Sequence, residues 1–291
     1  MIRRTVGVAL AVVAIAWTAK MPATFSGQSA LDFAHAVVAL GPRPAGSRPH
    51  AATELYIESQ IKLHHVELIE DAFTAQTPNG AVAMKNIIAK FPGTSGRAVV
   101  LTGHYDTKLM PGRGFVGAND GGSSTGFLLE MLRVLAAQKP TDETFLVWLD
   151  GEEAFREWSA TDSVYGSRHL AERWSKDRTL ERVKALINID MIGDKDLGII
   201  QEQNSSPALI KLVWQTARDL GYGKYFLDSG FAIEDDHLPF LHLGVNAIDL
   251  IDFDYGPKNA YWHQPQDTMD KLSAHSFQVV GDVVSRVLGR L

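Results

Sequence analysis

Apolar residues recur at helical spacing over Ser29 to Leu40 and again over His50 to Leu63. Between them, Gly41-Pro-Arg-Pro-Ala-Gly-Ser-Arg-Pro49 reads as a loop by its Pro and Gly content. Short apolar, β-branched runs follow at Asn86 to Ala89, Ala98 to Thr102, Thr144 to Leu149, Ala185 to Ile189, Gly198 to Ile200 and Ala247 to Ile251, and each has the length of a buried strand. Helical periodicity returns at Thr125 to Gln138, Ser167 to Ser175, Ala208 to Leu220 and Phe277 to Leu291. Strands alternating with helices predict an α/β fold, a three-layer sandwich whose central mixed, largely parallel sheet is flanked by helices. No repeat or linker interrupts the chain after Ser29, so residues 29 to 291 are expected to form a single catalytic domain.

Composition narrows the chemistry. The 291 residues carry 28 Lys+Arg against 34 Asp+Glu, a formal charge of −6, which argues against nucleic acid as a partner. There is no cysteine, so disulfides, thiol nucleophiles and thiolate metal sites are excluded, and any metal must be held by His, Asp and Glu. At the N-terminus, Arg3 and Arg4 precede the apolar run Val6 to Ile15, which ends in the small-x-small sequence Ala14-Ile15-Ala16. Residues 1 to 16 therefore read as a secretory signal peptide, the run being short against the roughly 20 residues of a spanning helix, with an uncleaved anchor as the alternative. An exported protein, periplasmic or secreted, is the expectation, with membrane contact only if that segment is kept.

In parallel sheets ligands bind outside the carboxyl ends of the strands, and the polar clusters of this chain fall there. His104 and Asp106 follow the run ending at Thr102, an alternating pair in which the carboxylate can orient the imidazole; taken alone, the pair reads more simply as a hydrogen-bonded strand-end His. Gly117-Ala-Asn-Asp120-Gly-Gly-Ser-Ser-Thr-Gly126 lacks the Lys-Ser/Thr ending of a phosphate loop. Its Asp120 is either a helix cap or a metal ligand that glycines let the backbone approach. Asp150-Gly-Glu-Glu153 puts adjacent carboxylates, Glu152 and Glu153, after a buried run, so they point in different directions and one can bind metal while the other moves protons. A solvated acidic turn is the plain alternative. Asp190 closes another strand, and Tyr261-Trp-His263 lies in a polar loop, either as packing or as a ligand beside an aromatic wall. His104, Asp120, Glu153, Asp190 and His263 form a sulfur-free set suited to Zn²⁺, enough for two ions or, with three of them, for one. His35, His50, His64, His65, His169, His242 and His275 have no acidic companion at a useful spacing and read as structural or surface residues.

Seven motifs in order carry a family resemblance: Gly103-His-Tyr-Asp-Thr107, Gly117-Ala-Asn-Asp120, Asp150-Gly-Glu-Glu-Ala-Phe155, Tyr165-Gly-Ser-Arg-His-Leu-Ala171, Asp190-Met-Ile-Gly193, Glu234-Asp-Asp-His-Leu-Pro-Phe240 and Trp262-His263. From about Ala30 onward the chain resembles the animal-type glutaminyl-peptide cyclotransferases, which share their fold with zinc aminopeptidases of the bacterial leucyl-aminopeptidase type. The insertion Ala154 to Val164 with its Trp158, the Asp235-Asp236-His237 run and the Trp before His263 resemble the cyclases; His263-Gln-Pro-Gln-Asp-Thr-Met-Asp270-Lys is closer to the aminopeptidase ending.

The resemblance implies Asp120, Glu153 and His263 as ligands of one catalytic zinc, Glu152 as acid/base, Asp190 and Asp235 as its hydrogen-bonding neighbours, and Trp158 and Trp262 as substrate walls. In the aminopeptidases the positions of His104 and Asp190 bind a second ion and that of Asp120 bridges. Asp249 stands where animal cyclases have a His, so the acidic network must differ there. The implied reaction converts the N-terminal Gln of peptides to pyroglutamate with release of ammonia. The rivals are an aminopeptidase with two zincs and, from another class, a catalytically silent peptide-binding module. A monomer is expected.

Overall fold

The computed structural model describes residues 23–291, so the predicted signal segment lies outside the described residues. Among the described residues no helix is long and apolar enough to cross a membrane. The helix expected from Ser29 starts two residues earlier, as α1 (Gly27–Val38), because the Ser26 side chain accepts a hydrogen bond from the Ser29 N–H and caps it. The core also includes a residue before Ser29, since Phe25 is buried with its ring centroid 5.0 Å from that of Phe127, tilted by 38°. Next comes α2 (Arg48–Leu63), capped by Ser47 with Pro49 in its first turn.

The strands are β1 (Glu67–Thr77), β2 (Gly80–Phe91), β3 (Ala98–His104), β4 (Glu143–Leu149), β5 (Val183–Asp190) and β6 (Ala247–Ile251). They form one sheet in the order β1-β2-β4-β3-β5-β6. The β1–β2 and β2–β4 pairs are antiparallel, and the other three are parallel. Interleaved helices are α3 (Gly122–Ala136), α4 (Tyr165–Lys176), α5 (Pro207–Asp219), the short α6 (Leu238–Leu241) and α7 (Ala274–Leu288).

Alternation along the strands makes the three layers. Leu101, Leu146, Trp148, Ile187 and Leu250 face a core shared with α1, α2, α3, α5 and α7; Val100, Val147, Leu149, Leu186 and Ala247 face a second core with α4 and α6.

Two elements depart from the sequence reading. β1 carries no clean apolar run, because it is an edge strand whose side chains are mostly solvated. The expected strand Gly198 to Ile200 makes a single bridge, Ile199 to Phe226, and stays outside the sheet, since the Gly198 N–H is tied to Asp252 and the segment pairs with a loop.

Candidate active site

The four parallel strands end on one side, and their carboxyl ends deliver the site. β3 ends at His104, β4 leads into Glu152 and Glu153, and β5 ends at Asp190. Asp120 arrives from the turn before α3; it does not cap that helix, whose N-cap is Gly121 at φ +77°. A Cβ on Gly121 would sit 2.5 Å from the Asp106 carbonyl and 3.0 Å from the His104 ring, so only glycine lets this turn press against the end of β3. His263 comes from the loop before α7, its backbone held at φ +51°. Its ring stacks on Trp262 at 4.2 Å and meets the Phe115 ring edge-on.

Two overlapping clusters result. His263 Nε2 lies 3.0 Å from Glu153 Oε1 and 3.2 Å from Asp120 Oδ2. His104 Nε2 lies 3.2 Å from Asp120 Oδ1 and 3.3 Å from Asp190 Oδ1. Each trio, Asp120–Glu153–His263 and His104–Asp120–Asp190, brings its ligand atoms within 4.8 Å of one another.

These residues fit a cation. Asp120 Oδ2 is buried and no donor meets it with hydrogen-bond geometry. Burial opposes charge on His263, yet Glu153 and Asp120 raise its pKa to about 10. His104 is likewise raised despite burial, by Glu152, Asp106, Asp120 and Asp190. A site that draws protons onto two buried imidazoles is short of positive charge, and an oxygen and imidazole set of this kind suits Zn²⁺.

The two adjacent glutamates diverge as their spacing predicts. Glu153 turns to His263 and accepts from Lys108 N at 3.1 Å; Glu152 Oε2 lies 3.9 Å from His104 Nδ1. Burial pushes the Glu152 carboxyl well above the usual carboxylate range; His104 draws it down, while Glu153, Asp235 and Asp236 push it further up. Asp106 orients more than His104: at 3.5 Å from His104 Nδ1, it also accepts the Glu152 and Glu153 backbone N–H groups, which fixes the turn carrying both.

Asp190 and Asp235 stand beside Glu152 in the same cavity, of about 390 Å³. Their hydrogen bonds, however, run to His104 and to Asn188 Nδ2, respectively. Asp190 is pushed up to about 7, first by burial and then by Asp235 and Asp120 against the pull of His104. Asp249, one strand over, shares the Asn188 amide at 3.1 Å and is buried, its pKa raised by burial, Asp235 and Asp190.

Trp158 and Trp262 form the mouth of the cavity, each about a third exposed. The insertion that carries Trp158 is folded around Asp162, which accepts the backbone N–H groups of Phe155, Arg156 and Glu157. Phe231, Ile233 and Phe253 complete the apolar wall.

Several contributors were not legible as such. Arg43, in the Pro- and Gly-rich loop, is fully buried and donates to the carbonyls of Tyr105, Val116 and Gly117, clamping the two loops beneath the cluster. Asp267 accepts the Asn119 and Asp120 N–H groups and the Tyr255 hydroxyl; it lies in a quoted motif, and only the fold reveals its partner. The reading of His50 and His169 as lacking acidic companions is corrected: His50 Nε2 lies 2.7 Å from Asp150 and His169 Nε2 lies 3.1 Å from Asp71, partners 100 and 98 residues away in sequence.

An α/β sandwich with a His/Asp/Glu cluster at its parallel strand ends defines a protein of the zinc exopeptidase and glutaminyl cyclase fold. The profile described as "Peptidase family M28" matches residues 86–288, and the chain belongs to that family. It is 32% identical over 252 residues to the glutaminyl-peptide cyclotransferase of Drosophila melanogaster, covering 78% of this chain and 70% of that protein. An Acidobacteriales bacterium glutaminyl cyclase structure superposes with a TM-score of 0.90 at 42% identity, over 97% of this chain and 98% of that one. A Zn-dependent exopeptidase from Parabacteroides distasonis follows at 0.82 and 27%, over 92% and 99%.

Proposed function

We propose that this protein is a zinc-dependent glutaminyl-peptide cyclotransferase, an acyltransferase that converts the N-terminal Gln of peptides to pyroglutamate with loss of ammonia. The observation that carries the reading over peptide-bond hydrolysis is the insertion folded on Asp162. It brings Trp158 into the wall of the cavity that Trp262 and Glu152 also line, adding an indole suited to hold one side chain against the acid/base. The named cyclotransferase and cyclase relatives support it.

Asp120, Glu153 and His263 would hold a single zinc. Bound there, the ion supplies a Lewis acid for the substrate's side-chain amide carbonyl. Glu152 does the proton work: it takes a proton from the terminal α-amine as that nitrogen attacks the side-chain amide carbon, then hands a proton to the departing amide nitrogen, which leaves as ammonia. One carboxyl serves both transfers because they are sequential, and its raised pKa suits proton transfer near neutrality. Asp190 and Asp235 keep Glu152 in an acidic, water-poor surround. The tryptophans hold the Gln side chain folded toward its own amine, which matters because ring closure is intramolecular.

A second reading, the aminopeptidase, is favoured by one observation, the His104–Asp120–Asp190 trio, which could take a second ion. We also infer that residues 29–291 act as one catalytic unit, as a monomer, exported by the leader sequence at residues 1–16.

Mass spectrometry of a Gln-Xaa peptide amide with zinc-loaded protein, beside a no-enzyme control, separates the readings. Enzyme-dependent loss of one ammonia with the peptide bond intact is expected, whereas release of free Gln would overturn the cyclotransferase. Glu152→Gln should lower turnover at least about 100-fold while zinc content, read by elemental analysis, stays at the wild-type level.

A further inference from the structure

We propose that Glu234 makes this site favour peptides with a cationic second residue and disfavour those with an acidic one, an inference that rests on the cyclotransferase reading. With the N-terminal Gln at the buried carboxylates Glu152, Glu153 and Asp120 and the part-buried His263, the rest of the peptide must leave through the open side of the cavity. The exposed lining there is apolar, Trp158, Phe231 and Trp262, except for Glu234, and one further charged side chain, the half-buried Lys108, lines the same cavity.

These two charges are not equivalent. Lys108 turns inward, its Nζ 3.4 Å from Glu153 Oε2, so its charge is answered within the protein. Glu234 is exposed, and its partner is the neutral indole of Trp158, whose Nε1 donates to Oε2 at 2.9 Å. Among the described residues no Lys or Arg lies in ion-pair range of it. The indole thus holds a carboxylate in place at the rim without cancelling its charge, and the chain's formal charge of −6 adds to the local potential.

A Lys or Arg side chain leaving the mouth gains attraction, and a Glu side chain meets repulsion. In solvent-exposed surroundings this is worth about three- to tenfold in kcat/KM between adjacent classes, and it weakens with salt. The effect falls on KM, because the second residue takes no part in ring closure.

The experiment compares Gln-Lys, Gln-Ala and Gln-Glu peptide amides by ammonia release at low and high salt, for the wild type and for Glu234→Gln. Glutamine keeps an acceptor for the Trp158 indole, so the variant removes charge and leaves the wall. Expected in the wild type is the order Lys, Ala, Glu, with roughly a tenfold or greater spread carried by KM, contracting at high salt and in the variant. Equal kcat/KM for all three peptides in the wild type, or a spread that survives unchanged in Glu234→Gln, would overturn the proposal. No ammonia from any peptide would instead overturn the cyclotransferase reading, and this inference with it.

Discussion

Replacing Arg43 by methionine tests how the site is held together. Arg43 is fully buried, and its three shortest guanidinium bonds, to Tyr105 O at 2.7 Å, Val116 O at 2.6 Å and Gly117 O at 2.8 Å, with a longer one to Asp120 O at 3.5 Å, join the loop after β3 to the loop that carries Asp120. Its own N–H is fixed by Thr107 Oγ1 at 3.0 Å. Burial lowers its pKa to about 10, partly countered by Asp267, Asp106 and Asp120, so it is charged at neutral pH.

Methionine has similar length and no donor, so the carbonyls lose their charged donor at about 1–3 kcal/mol per bond, least at Gly117, which keeps the Gly122 N–H, and at the part-buried Val116. Recovery of the guanidinium's own desolvation cost offsets several kcal/mol of that sum. A net loss of about 3 kcal/mol is expected, or a fall of about 6 °C in Tm for a chain of this length. Calorimetry reads the loss, and chelator competition reads whether zinc is held less tightly once the two loops separate. Arg43→Lys, whose ammonium cannot reach three carbonyls in one plane, should fall between. A Tm for Arg43→Met within about 1 °C of the wild type would refute the clamp.

Three further perturbations bear on the same structure. Burial, Asp194 and Asp254 raise Asp252 to about 6 against the backbone bonds from Gly198 and Asp254. Its folded pKa exceeds its unfolded value, so its protonated form supports the fold below about pH 4, and up to about 3 kcal/mol of that support is lost as pH rises to about 6. Asp252→Asn should therefore gain stability relative to wild type between pH 4 and pH 7 in thermal melts; a constant difference would contradict the assignment. His263→Ala removes one of three proposed ligands and should leave the far-ultraviolet circular dichroism unchanged while zinc content after dialysis falls well below one per chain; full zinc retention would shift the ion to the His104 trio. Trp158→Ala should lower kcat/KM about tenfold or more, with kcat falling as well as KM rising, since it removes the wall that pre-aligns the Gln side chain for ring closure; an unchanged kcat would refute that role.

The layered α/β fold was legible because buried parallel strands are short and continuously apolar, and the helices between them keep a 3.6-residue period. β1 was invisible for the complementary reason: an edge strand shows water most of its side chains and so has no apolar run to find. Gly198 to Ile200 misled because a buried apolar tripeptide satisfies the same pattern whether it pairs in a sheet or against a loop. Candidate ligands stood out wherever an acidic or imidazole side chain followed an apolar run. Residues that support them, such as Arg43 and Asp267, gave no such signal, because a clamp is defined by its partners.

What the sequence by itself determined is the inventory: which groups can bind a metal or move a proton, that none is sulfur, and that strand ends deliver them to one side. Tertiary structure decided the pairing. It placed His263 between Asp120 and Glu153, put Glu152 among Asp235 and Asp236, and gave His50 its Asp150 across 100 residues of sequence. Periodicity is a local property that survives in the string of residues, whereas charge compensation, orphaned oxygens and raised carboxyl pKa values arise only when distant segments exclude water together.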